Sequence, residues 1–174
     1  MSPLSSIRRR SRVVAAALPA VVAAGVVLAA GPVQATSYDA DLKDVRAATA
    51  RFHSTVQAER AGYQRTPECV SSPAGVMGIH YENAALMKDP ALDPLQPEIL
   101  VYAPNENGKL KLVAVEYYVE AAAVTAAPSL FGHTFEGPMP AHHPGMVRHY
   151  DLHAWVWAAN PAGTFALFNP TLSC

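Results

Sequence analysis

Two histidines and one glutamate stand out because each interrupts a strand-like segment that is otherwise mostly apolar. His80, Glu116 and His153 belong to three different segments of this kind. A charged or imidazole side chain that is buried in a strand needs a polar partner. Two imidazoles and one carboxylate are a recognised ligand set for Zn²⁺ and for non-haem Fe²⁺. The sequence therefore predicts a transition-metal site, provided that the fold brings the three side chains together.

The spacing along the chain does not by itself place these residues on one ion. In the alternative interpretation, His80, Glu116 and His153 lie on a solvated sheet face or are hydrogen-bonded separately in the core. His149 and His153 cannot share an ion on one extended strand, since four residues span about 13 Å there. Asp151 lies between them on the same face. It is a candidate to orient an imidazole of a neighbouring strand, as carboxylates behind metal ligands do, or a simple strand-edge charge.

A proline-rich segment carries a second group of candidate ligands, namely Met139, His142, His143 and Met146. Thioether and imidazole groups suit copper, particularly Cu(I), so the spacing Met-x-x-His-His-x-x-Met predicts a secondary copper site. The alternative is a loop whose histidines are solvated. His133 lies earlier in the same segment and is a further metal-ligand candidate if the segment folds onto His153.

Other signatures of catalysis are absent from the sequence. It contains no G-x-S-x-G elbow, P-loop, Rossmann glycine pattern or H-E-x-x-H motif. No reaction can therefore be assigned from motifs. If the protein is an enzyme, His153 or Glu116 is the candidate acid or base, and a bound metal ion is expected to activate water or dioxygen.

The candidate ligands lie on predicted strands. Residues 98–103 and 110–120 predict a hairpin, because an Asn-Glu-Asn-Gly turn signal separates them. Residues 149–168 predict a second hairpin that turns at Asn-Pro-Ala-Gly. Together with a strand at 76–82, this makes an antiparallel sheet of about five strands.

One amphipathic helix is predicted from Tyr38 to about Gly62, since apolar residues recur there at spacings of three and four. A helix packed on one antiparallel sheet is an α+β architecture. Residues 121–148 lack a regular period because proline and glycine interrupt it repeatedly. We expect a long loop over one face of the sheet, with disorder as the alternative.

The N-terminus has the pattern of a secretory signal peptide. Four arginines precede an apolar run at residues 13–30, and Val33-Gln34-Ala35 supplies small residues before a cleavage point. Adjacent arginines leave the twin-arginine route open beside the general one. A retained transmembrane anchor is the alternative, because the apolar run is about 18 residues long.

Cleavage after Ala35 leaves residues 36–174 as a single α+β domain. It removes four of the 13 basic residues and none of the 14 acidic ones, which leaves a net charge of −5. A modestly acidic domain without a Lys/Arg cluster argues against nucleic acid and against an anionic membrane surface as partners. The sequence does not indicate an oligomeric state.

Cys69 and Cys174 are the only two cysteines. In an exported chain they favour a disulfide, which would tie the C-terminus to the end of the first helical segment. The alternative is two separate thiols or a redox pair, although no C-x-x-C motif occurs.

Several short strings follow one another in a characteristic order, namely GIHY ending at Tyr81, VAVEY ending at Tyr117, LFGH ending at His133, HAWVW ending at Trp157, and the terminal Cys174. In this order the chain resembles a group of small, secreted, functionally uncharacterised bacterial proteins. The resemblance covers essentially the whole mature chain and implies an exported single domain without implying an activity. It also implies that His80, Glu116, His133 and His153 belong to the group's common pattern.

The leading hypothesis is an exported domain with a pocket beneath the loop. This pocket binds a small ligand or one transition metal ion (Zn, Fe or Cu) through His80, Glu116 and His153, with His133 as a fourth candidate. The competing hypothesis is a non-catalytic interaction or structural protein of the cell surface that has no metal site. In that case, the strand histidines point outward and an exposed aromatic face meets a partner.

Overall fold

A computed structural model describes the backbone of residues 33–174 and the side chains from residue 39 onward. The predicted signal peptide, residues 1–35, lies almost entirely outside this part. The helices are α1 (Val33–Thr49) and α2 (Thr55–Arg60). The strands are β1 (Gln64–Ser72), β2 (Gly75–Glu82), β3 (Ile99–Pro104), β4 (Leu110–Glu120), β5 (Ser129–Leu130), β6 (His133–Thr134), β7 (Glu136–Met139) and β8 (His149–Ala154).

Six strands form one antiparallel sheet in the order β1-β2-β3-β4-β8-β7, and β5 pairs with β6 separately. The α+β class is confirmed, but the strand count is six rather than about five. The sequence did not indicate β1 because Pro67 lies within it. At the sheet edge, proline is tolerated since one side of the strand needs no ladder hydrogen bonds.

The predicted C-terminal hairpin is not formed. β8 pairs with β4 and β7, so its second partner comes from the segment expected to be a loop. The chain after Ala154 runs through turns and contributes one bridge, between Asn169 and Val76 of β2. The short apolar and aromatic runs on either side of the Asn-Pro-Ala-Gly turn resemble strands in composition, although the tail forms no continuous ladder.

The predicted single helix is interrupted. α1 passes into a 3₁₀ turn at Ala50–His53, and Ser54 is extended (φ −94°, ψ 112°) before α2 begins. Leu42, Val45 and Phe52 are buried as the apolar period indicated. Val56, by contrast, is 52 % exposed. Because Ser54 is extended rather than helical, the helical period does not continue across it.

The two faces of the sheet have different roles because successive side chains of a strand point to opposite sides. One face forms the main core with the helices, and its Tyr102 hydroxyl donates to the carbonyl of Phe52 at 2.5 Å. The other face carries His80, Glu116 and His153. Part of the predicted loop lies over this second face, where His143 Nε2 is 2.8 Å from Glu82 Oε1.

The disulfide between Cys69 and Cys174 is present, and it ties the C-terminal tail to edge strand β1. This bond is in line with an extracellular location. Within residues 33–174, none of the helices has the length and apolar character needed to cross a bilayer.

Replacing both cysteines by serine should lower the free energy of unfolding by about 2–5 kcal/mol, because the bond restricts the unfolded chain over a separation of 105 residues. Urea denaturation followed by circular dichroism measures the change, with the untreated disulfide-bonded protein as reference. An unchanged denaturation midpoint would contradict the stabilising role of this bond.

Candidate metal centre

The structure brings the three predicted ligands together on one face of the sheet. His80 Nε2 lies 3.1 Å from Glu116 Oε2, and His153 Nε2 lies 3.4 Å from the same oxygen. One ligand atom from each residue lies within 4.8 Å of the other two. All three side chains are buried, so the alternative of a solvated sheet face does not apply to them.

Strand pairing explains how residues so far apart in sequence meet. Glu116 and His153 are directly opposite each other in the β4–β8 pair. His80 lies on β2, with β3 between it and Glu116. Neighbouring strands are about 4.8 Å apart, so β2 and β4 are separated by about 10 Å. The side chains of His80 and Glu116 span this gap by reaching over Ile99 and Val101 of β3.

Two of the three separations between donor atoms match those around a metal ion, and the third is within 4.8 Å. Ligands about 2.0–2.1 Å from a tetrahedral Zn²⁺ lie about 3.3 Å from one another, close to the observed 3.1 and 3.4 Å. Glu116 Oε2 and His153 Nε2 have no hydrogen-bond partner among the described residues. Buried polar atoms are normally satisfied, and a cation between these atoms would satisfy both.

Burial also sets the protonation states of the site. It lowers the pKa of His80 to about 4 and that of His153 to about 3, so both imidazoles are neutral near pH 7. It raises the pKa of Glu116 to about 8. Metal ions bind neutral imidazole and ionised carboxylate. Near pH 7 the two histidines are therefore in the protonation state that binds a metal ion, whereas Glu116 would first have to lose a proton.

Asp151 supports Glu116 from the same strand as His153. Its side chain is 1 % exposed and is hydrogen-bonded to the Glu116 carboxyl group. Burial, reinforced by the charge of Glu116, raises the pKa of Asp151 to about 9. Asp151 is therefore protonated near pH 7 and donates its O–H to Glu116. Asp151 also adjoins an imidazole, since its Oδ2 lies 3.9 Å from His149 Nε2 on the same strand; the sequence suggested an imidazole of a neighbouring strand.

A cavity of about 370 Å³ adjoins the candidate metal centre. His80 and Glu116 are part of its wall, whereas His153 lies behind them and is not. The remaining wall comes from edge strand β1, from Glu82 and Ile99, and from the loop segment 142–146. Of the three candidate ligands, His80 and Glu116 therefore face the cavity.

Three of the four copper candidates line this same cavity, namely His142, His143 and Met146. Met139 instead ends β7, where it pairs with His149. His143 contacts Glu82, and His142 Nδ1 lies 3.3 Å from the carbonyl oxygen of Pro140. The copper site stays a prediction. The structure adds that its loop and the strand ligands border one cavity.

The structure does not bring His133 into the ligand group. His133 lies on β6, in the separate two-stranded sheet, and its ring packs on Phe165 with centroids 4.0 Å apart. The loop that was expected to carry it onto His153 forms β5 and β6 instead. Among the described residues, the group that could hold a metal ion consists of His80, Glu116 and His153.

Two further residues of this face were not predicted as part of the site. Glu82 follows His80 by two residues, so the strand period placed it on the same face and could have indicated it. His149 is fully buried, stacks on Tyr118 with ring centroids 4.7 Å apart, and contacts the carbonyl of Val147 through Nδ1 at 2.9 Å. It packs beside the site rather than in it.

Comparisons with protein-family models, curated proteins and solved structures found no match to this chain. The functional argument therefore depends on the chemistry of the site.

Metal uptake below pH 8 should release about one proton per ion, because the ion displaces the proton of Glu116. The apparent affinity should rise about tenfold per pH unit and level off above about pH 8. Calorimetric titration with Zn²⁺ in buffers of different ionisation enthalpy counts the protons. A transition near pH 6.5, the ordinary value for histidine, would show that imidazole protonation controls binding instead.

Replacing Asp151 by leucine should weaken metal binding by about 10–100-fold, as is typical when the partner behind a ligand is lost. Asp151→Asn keeps a donor toward Glu116 and should stay within a few-fold of the unchanged protein. Competition with a chromophoric chelator gives both affinities. Equal losses in the two variants would contradict the proposed hydrogen bond.

Proposed function

We propose that this protein is an exported metal-binding protein whose buried centre, formed by His80, Glu116 and His153, faces a small-molecule cavity. The observation that carries the proposal is the convergence of three buried donor atoms, two of which lack a hydrogen-bond partner among the described residues. Export is supported by the disulfide and by the signal-peptide pattern at the N-terminus. Zn²⁺ and Fe²⁺ are the ions that this donor set suits best.

Three protein ligands leave at least one coordination position for water or another small molecule, as catalytic zinc sites do. Such an ion supplies Lewis acidity and activates bound water or dioxygen. The chain itself contributes the geometry. His80 and Glu116 border the cavity, His153 closes the back of the site, and Asp151 holds the Glu116 carboxyl group. His142 and His143 in the cavity wall are candidates to exchange protons with a bound molecule.

A structural role for the polar group is the second candidate. His80, Glu116, His153 and Asp151 are all buried, and in their favoured protonation states they carry no net charge near pH 7. A neutral group of this kind can stay in an apolar sheet without a metal ion. The protein would then be the non-catalytic surface protein of the competing hypothesis, and metal content separates the two.

Metal analysis of the protein purified from its export route without chelator tests the proposal. We expect about one Zn²⁺ or Fe²⁺ per chain, which Glu116→Gln and His153→Ala should reduce to a small fraction. His133→Ala is the matched control, because it removes a histidine outside the ligand group, and its metal content should be unchanged. Near-ultraviolet circular dichroism verifies that each variant is folded.

Two results would count against the metal centre. One is a protein that is isolated without metal and takes up no added Zn²⁺, Fe²⁺ or copper. The other is equal loss of metal in His133→Ala and His153→Ala. If Met146→Ala or His142→Ala abolished copper uptake while His153→Ala did not, the loop would be the metal site instead.

A further inference from the structure

We infer that the cavity beside the candidate metal centre binds a small amphipathic organic molecule that is neutral or cationic, and that it discriminates against anions. This inference deepens the proposed function, since it names the class of molecule that reaches the same site. It is stated for the metal-free cavity and depends on the composition of the cavity wall, because a bound ion would itself attract anions.

The size of the cavity fits a small organic molecule. Its volume of about 370 Å³ lies near the lower end of the range for ligand pockets, which is about 300–1,000 Å³. At about 30 Å³ per water, this is room for about twelve water molecules. A molecule built around a single ring fits this volume.

The charge of the wall is one-sided. Glu68, Glu82 and Glu116 line the cavity, and none of the described residues in its wall is lysine or arginine. Glu82 is paired with His143 and Glu116 is protonated near pH 7, so Glu68 is the wall carboxylate that lacks a cationic partner in the wall. A carboxylate or phosphate ligand would therefore lie beside carboxyl groups without a cationic side chain to pair with. Sites for such anions usually contain arginine, lysine or a cluster of backbone N–H groups.

The histidines of the wall do not replace the missing cation. His143 Nε2 already contacts Glu82 Oε1 at 2.8 Å, so this imidazole is paired with a carboxylate. His142 contacts the carbonyl oxygen of Pro140 through Nδ1. His80 is already occupied by a carboxyl group, since its Nε2 lies 3.1 Å from Glu116 Oε2.

The wall also has an apolar part, which consists of Pro67, Val70, Ile99, Pro144 and Met146. This part favours a hydrocarbon or aromatic portion in the ligand. His80 and Glu116 supply the polar end. In the metal-free protein, the ligand is thus expected to direct a neutral or cationic polar group, such as an alcohol, amide or amine, toward His80 and Glu116. With an ion bound, a neutral group is expected there instead, because the ion repels a cation.

Three matched probes test the inference, namely benzyl alcohol, benzylamine and benzoate, which are neutral, cationic and anionic molecules of similar size. Each is titrated into ¹⁵N-labelled protein, first in the metal-free and then in the zinc-loaded form. In the metal-free form, the alcohol and the amine should shift the amide signals of Val70, Ile99 and Met146. Benzoate should bind at least about tenfold more weakly than both, a difference of about 1.4 kcal/mol.

The double variant Glu68→Gln/Glu82→Gln should reduce the difference in affinity between benzylamine and benzoate, because it removes two carboxylates from the wall. Glu106→Gln is the matched control. Glu106 lies in the exposed turn between β3 and β4, outside this wall, so its loss changes net charge but not the cavity. The discrimination should persist in that variant.

Three results would overturn the inference. The first is that benzoate binds the metal-free protein as tightly as benzylamine does. The second is that the signal changes for all three probes map outside the cavity. The third is that no probe binds at about 10 mM, which is well above 1 mM, the Kd that corresponds to about −4 kcal/mol. Probe binding in a protein that takes up no metal would leave the cavity inference intact and refute the metal centre. Metal uptake without probe binding would leave the metal centre intact and refute the cavity inference.

Discussion

The buried carboxyl group of Glu116 is the constraint on which the rest of this site depends. A carboxylate inside an apolar sheet costs several kcal/mol unless a proton or a cation neutralises it. The sheet surrounds Glu116 with His80, His153 and Asp151, all of them buried as well. Burial makes both imidazoles poor bases and both carboxyl groups weak acids. The group is therefore nearly neutral in itself and needs only one compensating charge when Glu116 ionises.

The fold holds this group on strands, whereas a loop segment borders the cavity through which small molecules would reach it. His80, Glu116 and His153 come from three strands whose opposite face is packed by tyrosines and aliphatic side chains of the main core. Ligands on strands are held more accurately than ligands on loops. The segment 142–146 lies across the cavity and is held to β2 through His143 and Glu82. Position and access are thus provided by different parts of the chain.

The sequence predicted which candidate ligands would converge better than it predicted the structure around them. The period of two on each strand identified His80, Glu116 and His153, because polar residues in apolar strands are visible without knowing the fold. Their convergence depended on the strand order, and alternation does not report which strands are neighbours. β7 was missed since Pro138 and Gly137 lie within it, and the helix break was missed because Ser54 leaves no gap in the apolar spacing. His133 was predicted to reach the site because residues 121–148 were expected to form a loop over the sheet. Instead, His133 lies on β6, which pairs with β5.

The geometry is compatible with a cation between the three side chains. The nitrogens of His80 and His153 approach the same oxygen at 3.1 and 3.4 Å, yet Glu116 Oε2 and His153 Nε2 lack a partner with hydrogen-bond alignment among the described residues. A single proton on Oε2 can be donated to only one of the two nitrogens. A cation interacts with all three atoms at once.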